Sequence, residues 1–385
     1  MHNHDNQTHT HFSKLFHLKD KLGLLYSHIV IQSFAISLIS VFVPIYLLTI
    51  DFTLSQVFLY LLVEWTLFGL LAPLYGKIIH KLGLKEIILI RTPFLIIGLM
   101  LLFSLETSTL IRNYYLIIPI IMGASGALYT LSISSLFAKY MGNKKQTEKT
   151  AKFMSYPRIF AIASPTIGAI IASYFGFSFL LTLVSIFLFI SVFPIFLIKQ
   201  KISHPKFNLK VFKEIKLELK EFLLLMAYGI TGLVFSLILP ITLYLYSSNI
   251  ISLGIFISAI SLISAIFTIY LGKLANRHGY TKILKIGALL TFVLLILIGY
   301  FLKSEYIIHL SLISGFVNIL INLPYETHLY KKSREHKSHL EFLVFKEFSL
   351  YFGRIFLFGI LILFFSNIEF SYYLGAFASL AFLLF

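Results

Sequence analysis

Six ionisable side chains fall inside long apolar stretches of this chain: Glu64, Arg91, Arg158, Lys346, Glu347 and Arg354. A charge at the centre of a bilayer costs at least about 2.5–3.5 kcal/mol, so residues of this kind pair with one another, relay protons or hold ions and polar solutes. Glu64 has two readings, a carboxyl that takes up and releases a proton during a working cycle or a structural partner for a buried arginine. Arg158 and Arg354 suit either an anionic group or a contact between two parts of the protein. Arg91 and Lys346 lie one to two turns inside the expected ends of their segments, where a long stem can carry the charge out to the headgroups. Glu347 can pair with a neighbour on its own helix. The tally of four basic against two acidic groups points to an anionic organic solute.

Other chemistries lack their residues. Cysteine is absent, which removes disulfides, thiolate metal sites and thiol catalysis. No His-x-x-His, His-Glu-x-x-His or Gly-x-Ser-x-Gly arrangement marks a membrane-embedded hydrolase, and no Gly-x-x-x-x-Gly-Lys-(Ser/Thr) loop marks an ATP-driven engine. His2, His4, His9, His11 and His17 could hold Zn²⁺ or Ni²⁺ loosely, but they lack carboxylate and cysteine partners and read as a polar tail. No metal site and no cofactor is expected.

The elements that position these groups must be membrane helices. The 385 residues are 58% hydrophobic and only 12% charged, against roughly 25% charged in an average soluble protein. About 20 apolar residues cross the hydrocarbon core as a helix, and irregular backbone cannot face lipid. The alternating pattern of a membrane barrel is missing. Apolar runs place spans at 22–50, 54–79, 86–105, 112–138, 152–174 and 177–198, then at 222–248, 250–271, 283–302, 306–330, 341–366 and 370–385. The leading polar stretch has no cleavable signal pattern, so the first span is expected to stay in the mature protein.

The net charge of +16 raises the question of nucleic acid, and its distribution answers it. Of the 32 Lys and Arg residues, only Arg112 and Lys303 fall in the loops of one side and four lie within spans; all the others sit on the opposite side. This is the positive-inside pattern, with both termini cytoplasmic, some attraction to lipid headgroups and no nucleic-acid partner.

A shift of 196 residues superposes distinctive positions of the two halves (240 − 44 = 196). Pro44 falls on Pro240, Gly76-Lys77 on Gly272-Lys273, Gly83 on Gly279, Tyr129 on Tyr325 and Arg158-Ile159-Phe160 on Arg354-Ile355-Phe356. One register over so many sites predicts a parallel repeat, with six-span bundles at 22–198 and 222–385. Between them, 199–221 reads as a cytoplasmic amphipathic helix on the inner leaflet, a tether or a passive linker. Residues 1–21 form the His-rich tail.

The segment after span 2 reads Gly76-Lys-Ile-Ile-His80-Lys81-Leu-Gly83-Leu-Lys85, and that after span 8 reads Gly272-Lys-Leu-Ala-Asn276-Arg277-His-Gly279-Tyr-Thr-Lys282. Both resemble the loop signature of the major facilitator superfamily, Gly-x-x-x-Asp-(Arg/Lys)-x-Gly-(Arg/Lys)-(Arg/Lys). The resemblance implies twelve helices in two pseudo-symmetric bundles. It also implies rocker-switch transport of a small solute across the cytoplasmic membrane, coupled to protons or a counter-solute, by a monomer. His80 and Asn276 stand where the family has an Asp, so a hydrogen bond replaces the ionic latch. That loss keeps open a non-transporting receptor or scaffold; an embedded lipid enzyme is the remaining alternative.

In the family, spans 1, 4, 7 and 10 line the cavity. Their polar and aromatic residues here are His28 and Gln32, Tyr129 and Thr130, Tyr228 and Thr231, and His309, Asn318, Asn322 and Tyr325. Asn318 and Asn322 share one helix face. In the family, span 2 runs beside span 11, which would let Glu64 pair with Arg354. Ser164-Pro165-Thr-Ile-Gly168-Ala169 is similar to the antiporter motif Gly-Pro-x-x-Gly-Gly and leans toward export. By the 196 register, span 12 should continue to about position 394.

Overall fold

Proline decides where the long helices bend. It lacks an N–H and its ring meets the carbonyl four residues back. In the computed structural model, Pro44 interrupts the first span, leaving helices Lys21–Ile39 and Phe42–Thr49. Its repeat mate Pro240 follows a π-helical turn, Val234–Ile238, where the seventh span widens to relieve the same clash. Pro165 opens a helix just after a break at 161–163 in the fifth span.

The structure describes residues 20–141, 146–198, 207–208, 219–278, 280–335, 338–364 and 367–385. The His-rich tail, most of the linker with its expected helix, and Gly279 lie outside the described residues, as do the side chains of Asn276 and Arg277.

The described chain is helical throughout and forms the twelve-helix fold. The first bundle holds α1 (Lys21–Thr49), α2 (Leu54–Leu70 and Ala72–Leu82, bent by 55°), α3 (Leu84–Phe103) and α4 (Ile117–Met141). It is completed by α5 (146–175) and α6 (177–197), which run on from one another across Gly176. There the backbone reaches φ 82°, ψ 161°, a conformation open to glycine, so one apolar stretch makes two spans. The second bundle holds α7 (Leu219–Ser247), α8 (Ile250–His278), α9 (Tyr280–Tyr300), α10 (Tyr306–Glu335), α11 (His339–Leu363) and α12 (Glu369–Leu384).

The segment after span 2, expected as a loop, is helical to Leu82; Gly83 (φ 101°) makes the turn and α3 starts at once. Span 4 starts at Ile117 rather than 112. Ser108 accepts a hydrogen bond from the Ile111 amide (3.4 Å) and caps a separate short helix, Thr109–Asn113. Arg112 ties that helix to α1, donating to the Ile50 carbonyl at 2.7 Å and lying 4.9 Å from the Phe52 ring.

The bundles touch along α2–α11 and α5–α8, pairs that the 196-residue shift exchanges. In α2, Gly69 admits Tyr351 and the Glu347 carbonyl of α11. Thr166, in the first turn after Pro165, has an amide with no partner within its helix; it donates to Ser258 Oγ of α8 at 3.1 Å. Its hydroxyl contacts the same Oγ at 2.8 Å. Two apolar belts join the halves. At the end of the bundle carrying the basic loops, Leu340, Leu343 and Val344 of α11 enter the core of the first bundle. At the opposite end Phe42 and Phe58 share a core with Leu239 and Phe358.

Candidate functional site

Between the belts lies a cavity of about 380 Å³ walled by α1, α2, α3 and α4, with Leu237 of α7 as its contribution from the second bundle. The break at Pro44 places one face of α1 along it, carrying Gln32, Ser33, Ser37 and Ser40. From α2 come Leu61, Glu64, Trp65 and Phe68, from α3 Arg91, Leu95 and Leu99, and from α4 Met122, Tyr129 and Thr130. Gly123 of α4 lies against the Glu64 backbone carbonyl, which is how two helices come close enough to wall one cavity.

Arg91 is 2% exposed. One terminal nitrogen of its guanidinium donates to Gln32 Oε1, and its plane lies 4.1 Å from the Tyr129 ring centroid. Ser125 donates to the Arg91 carbonyl at 3.1 Å, and Arg91 Nε has no hydrogen-bond partner among the described residues. The snorkelling expected for Arg91 is therefore incorrect, because the side chain points into the bundle, where Gln32 and Tyr129 hold it. Behind Tyr129, 5.7 Å away, sits fully buried His28. Its Nδ1 is 2.6 Å from the Ser191 carbonyl. A carbonyl can only accept, so Nδ1 carries the proton and Nε2 presents a lone pair.

The second bundle holds its polar groups differently. Tyr228 donates to Glu326 Oε1 at 3.1 Å, and Lys346 contacts both Glu326 oxygens at 3.0 and 3.2 Å. Lys346 is thus paired rather than snorkelled. Glu326 lies within the expected span 306–330 and adds a third carboxylate to the six groups named from the sequence, which makes them four basic against three acidic. Arg354 donates to Glu347 Oε2 at 3.3 Å and lies 4.3 Å from the Trp65 ring and 5.6 Å from that of Phe68. The expected Glu64–Arg354 pair does not form. Being seven residues apart, Glu347 and Arg354 share a face of α11 and meet first. Arg158 of α5 stands within electrostatic range of Tyr228 and Tyr330, and its Nη1 has no partner among the described residues.

Of the expected cavity residues, Gln32, Tyr129 and Thr130 line this cavity and His28 backs it. Those of the second bundle do not line it. Thr231 bonds back to the Ala227 carbonyl, Asn322 to Asn318 at 3.0 Å, and Tyr325 is buried against Tyr228 and Phe382. His309 is exposed near the far end of α10. In the loop signatures, Gly76 takes the ring of Phe207 against its backbone, while His80 and Lys81 are exposed on the last turn of α2. The next linker residue, Asn208, donates its amide to Glu341 of α11 at 2.9 Å, so these two positions touch both bundles.

The sequence profile of the Major Facilitator Superfamily matches residues 25–340. The chain belongs to that superfamily. It is a multi-pass membrane protein and a secondary transporter, not an enzyme. Among solved structures it resembles a D-xylose–proton symporter, with 12% identity and TM-score 0.73 over 94% of this chain and 96% of that one. It also resembles a bacterial homologue of the iron transporter ferroportin in its inward-facing state (14%, TM-score 0.69, 94% and 98% covered). A third is a point mutant of the nucleoside transporter NupG (14%, TM-score 0.69, 95% and 98% covered). At such identities these likenesses show the fold alone. No curated protein sequence matches the chain.

Proposed function

We propose that this transporter moves a small organic anion across the cytoplasmic membrane by rocker-switch alternating access, coupled to protons, with both termini cytoplasmic. One observation carries the reading. Arg91 borders an interior cavity with its guanidinium fixed by Gln32 and Tyr129, and no carboxylate lies within ion-pair distance of it among the described residues. A buried cation without a counter-ion is costly, and a solute anion entering the cavity removes that cost.

Glu64 borders the same cavity. Arg91 of α3 and Tyr129 of α4 border that cavity with it, and Tyr60 of α2 lies within electrostatic range of the Glu64 carboxyl. An ionised Glu64 would compete with the solute for Arg91, whereas a protonated one leaves Arg91 free. One proton then travels with each anion, and the loaded cavity is neutral when the halves rock. Trp65 joins the cavity to the α2–α11 contact between the halves, since it borders the cavity and its ring carries Arg354 from the other half.

The test is uptake into proteoliposomes with an imposed pH gradient, across organic anions, sugars, amino acids and cations. Wild type should concentrate an anion when the anion source is acidic, and Glu64→Gln should retain exchange while losing the response to the gradient. An unchanged response in Glu64→Gln would remove Glu64 from coupling. Flux of neutral or cationic solutes alone would remove the anion.

A further inference from the structure

The walls of the cavity also specify the kind of anion. We infer that the solute is a small monocarboxylate with an apolar body, its carboxylate held at Arg91 and its hydrocarbon set against Leu61, Leu95, Leu99 and Met122. This rests on the transport reading above and narrows it.

Four observations converge. First, Arg91 is the single fixed cation among the residues bordering the cavity. A dianion such as phosphate or a dicarboxylate would leave one negative charge buried without a partner, and a neutral sugar would leave Arg91 uncompensated. A cationic solute would add like charge to it. Second, two N–H donors on bordering residues, Arg91 Nε and Trp65 Nε1, have no acceptor among the described residues. Buried donors are nearly always satisfied, and a carboxylate has two oxygens with which to accept from a guanidinium and a neighbouring donor. Third, most of the wall's area is hydrocarbon and its hydroxyls are few, chiefly Ser33, Ser37, Ser40 and Thr130, so a solute hydroxylated all round would lose more water contacts than it gained partners. Fourth, a volume of about 380 Å³ lies at the small end of ligand pockets, about 300–1,000 Å³, so the solute is small.

The chain carries one tryptophan, and it is Trp65 on the cavity wall, so the emission of the full-length purified protein reports occupancy directly. Titration with benzoate should change that emission saturably. Benzamide, the neutral relative of the same shape, benzylamine and inorganic phosphate should change it at least about tenfold less tightly, the least expected when a charge-assisted hydrogen bond is lost. Arg91→Gln should weaken benzoate to a similar extent; Arg91→Lys, which keeps the charge but loses the fork, should fall between. Benzamide or benzylamine binding as tightly as benzoate would overturn the inference without using any variant. So would Arg91→Gln binding benzoate unchanged. Uptake separates this from the broader reading: saturable flux of neutral solutes with no benzoate binding sinks the monocarboxylate and leaves the transporter. Dicarboxylate or phosphate binding that depends on Arg91 sinks the monocarboxylate and leaves the anion.

Discussion

Replacing Arg354 with methionine should destabilise the protein by about 3 kcal/mol or more, and a second change should restore most of the loss. Arg354 and Glu347 are 13% and 7% exposed at their side chains, with nitrogen and oxygen 3.3 Å apart. Removing one partner of a buried pair costs about 3–5 kcal/mol because the other charge remains in an apolar setting. The guanidinium also lies 4.3 Å from the Trp65 ring, a contact worth about 0.5–2 kcal/mol. Methionine replaces the lost stem packing, and the partial exposure trims the electrostatic cost, which sets the total near the lower figure. Adding Glu347→Leu removes the stranded carboxylate. Since apolar replacement of a whole buried pair is often close to neutral, the double variant should regain about 2 kcal/mol. Equilibrium unfolding in mixed detergent micelles, followed by circular dichroism, measures both. If Arg354→Met stays within about 1 kcal/mol of wild type, or the double variant is no more stable than the single, the pair is not the buried contact described here.

Trp65→Leu leaves the Arg354–Glu347 pair intact but removes the ring that carries it across the halves. A cysteine placed at Leu343, in this chain that has none of its own, should then react with maleimide about two- to thirtyfold more, as a loss of about 0.5–2 kcal/mol dictates. Gly168→Ala should lower the melting temperature, because its new Cβ would run into the Leu38 backbone carbonyl of α1, an overpacking cost of about 1–3 kcal/mol. Gly359→Ala, where the Cβ meets nothing within 4 Å, should be neutral or raise stability by about 0.5–1 kcal/mol. Equal melting temperatures for the two glycine variants would contradict the α1–α5 approach.

Hydropathy and the 196-residue register made the twelve helices legible, because membrane helices announce themselves through length and apolarity alone. Their ends were less legible. The break between α5 and α6 rests on Gly176, and the late start of α4 rests on a Ser108 cap, both local backbone events inside apolar text. The site was legible as a set of charges but not as partners. Partnering depends on which face each helix turns inward, and α11 put Glu347 closer to Arg354 than Glu64 could come. Ser33, Ser37 and Ser40 fall on one face of α1 at helical spacing, a signal that could have marked the cavity wall before the structure did.

The repeat gives the two halves the same scaffold at the level of the site and different chemistry on it. Adding 196 to Gln32, Arg91, Tyr129 and Thr130 gives Tyr228, Gly287, Tyr325 and Glu326. In the first half the position on the third helix holds a cation that borders a cavity. In the second it is Gly287, with Leu320 packed where a side chain would go. The charge at this level of the second half is instead a carboxylate, already closed against Lys346 and Tyr228. One half is left with an uncompensated cation and space beside it, while at this level the other has matched its charges internally. A solute that must be bound and then released is better served by the half whose electrostatics it completes, and the paired half can move against it as a rigid wall. Emptying the second half's cluster with the double change Glu326→Leu and Lys346→Leu should therefore leave benzoate affinity, read at Trp65, within about twofold of wild type, the tolerance expected for separate sites. A larger loss would place the anion between the halves rather than within the first.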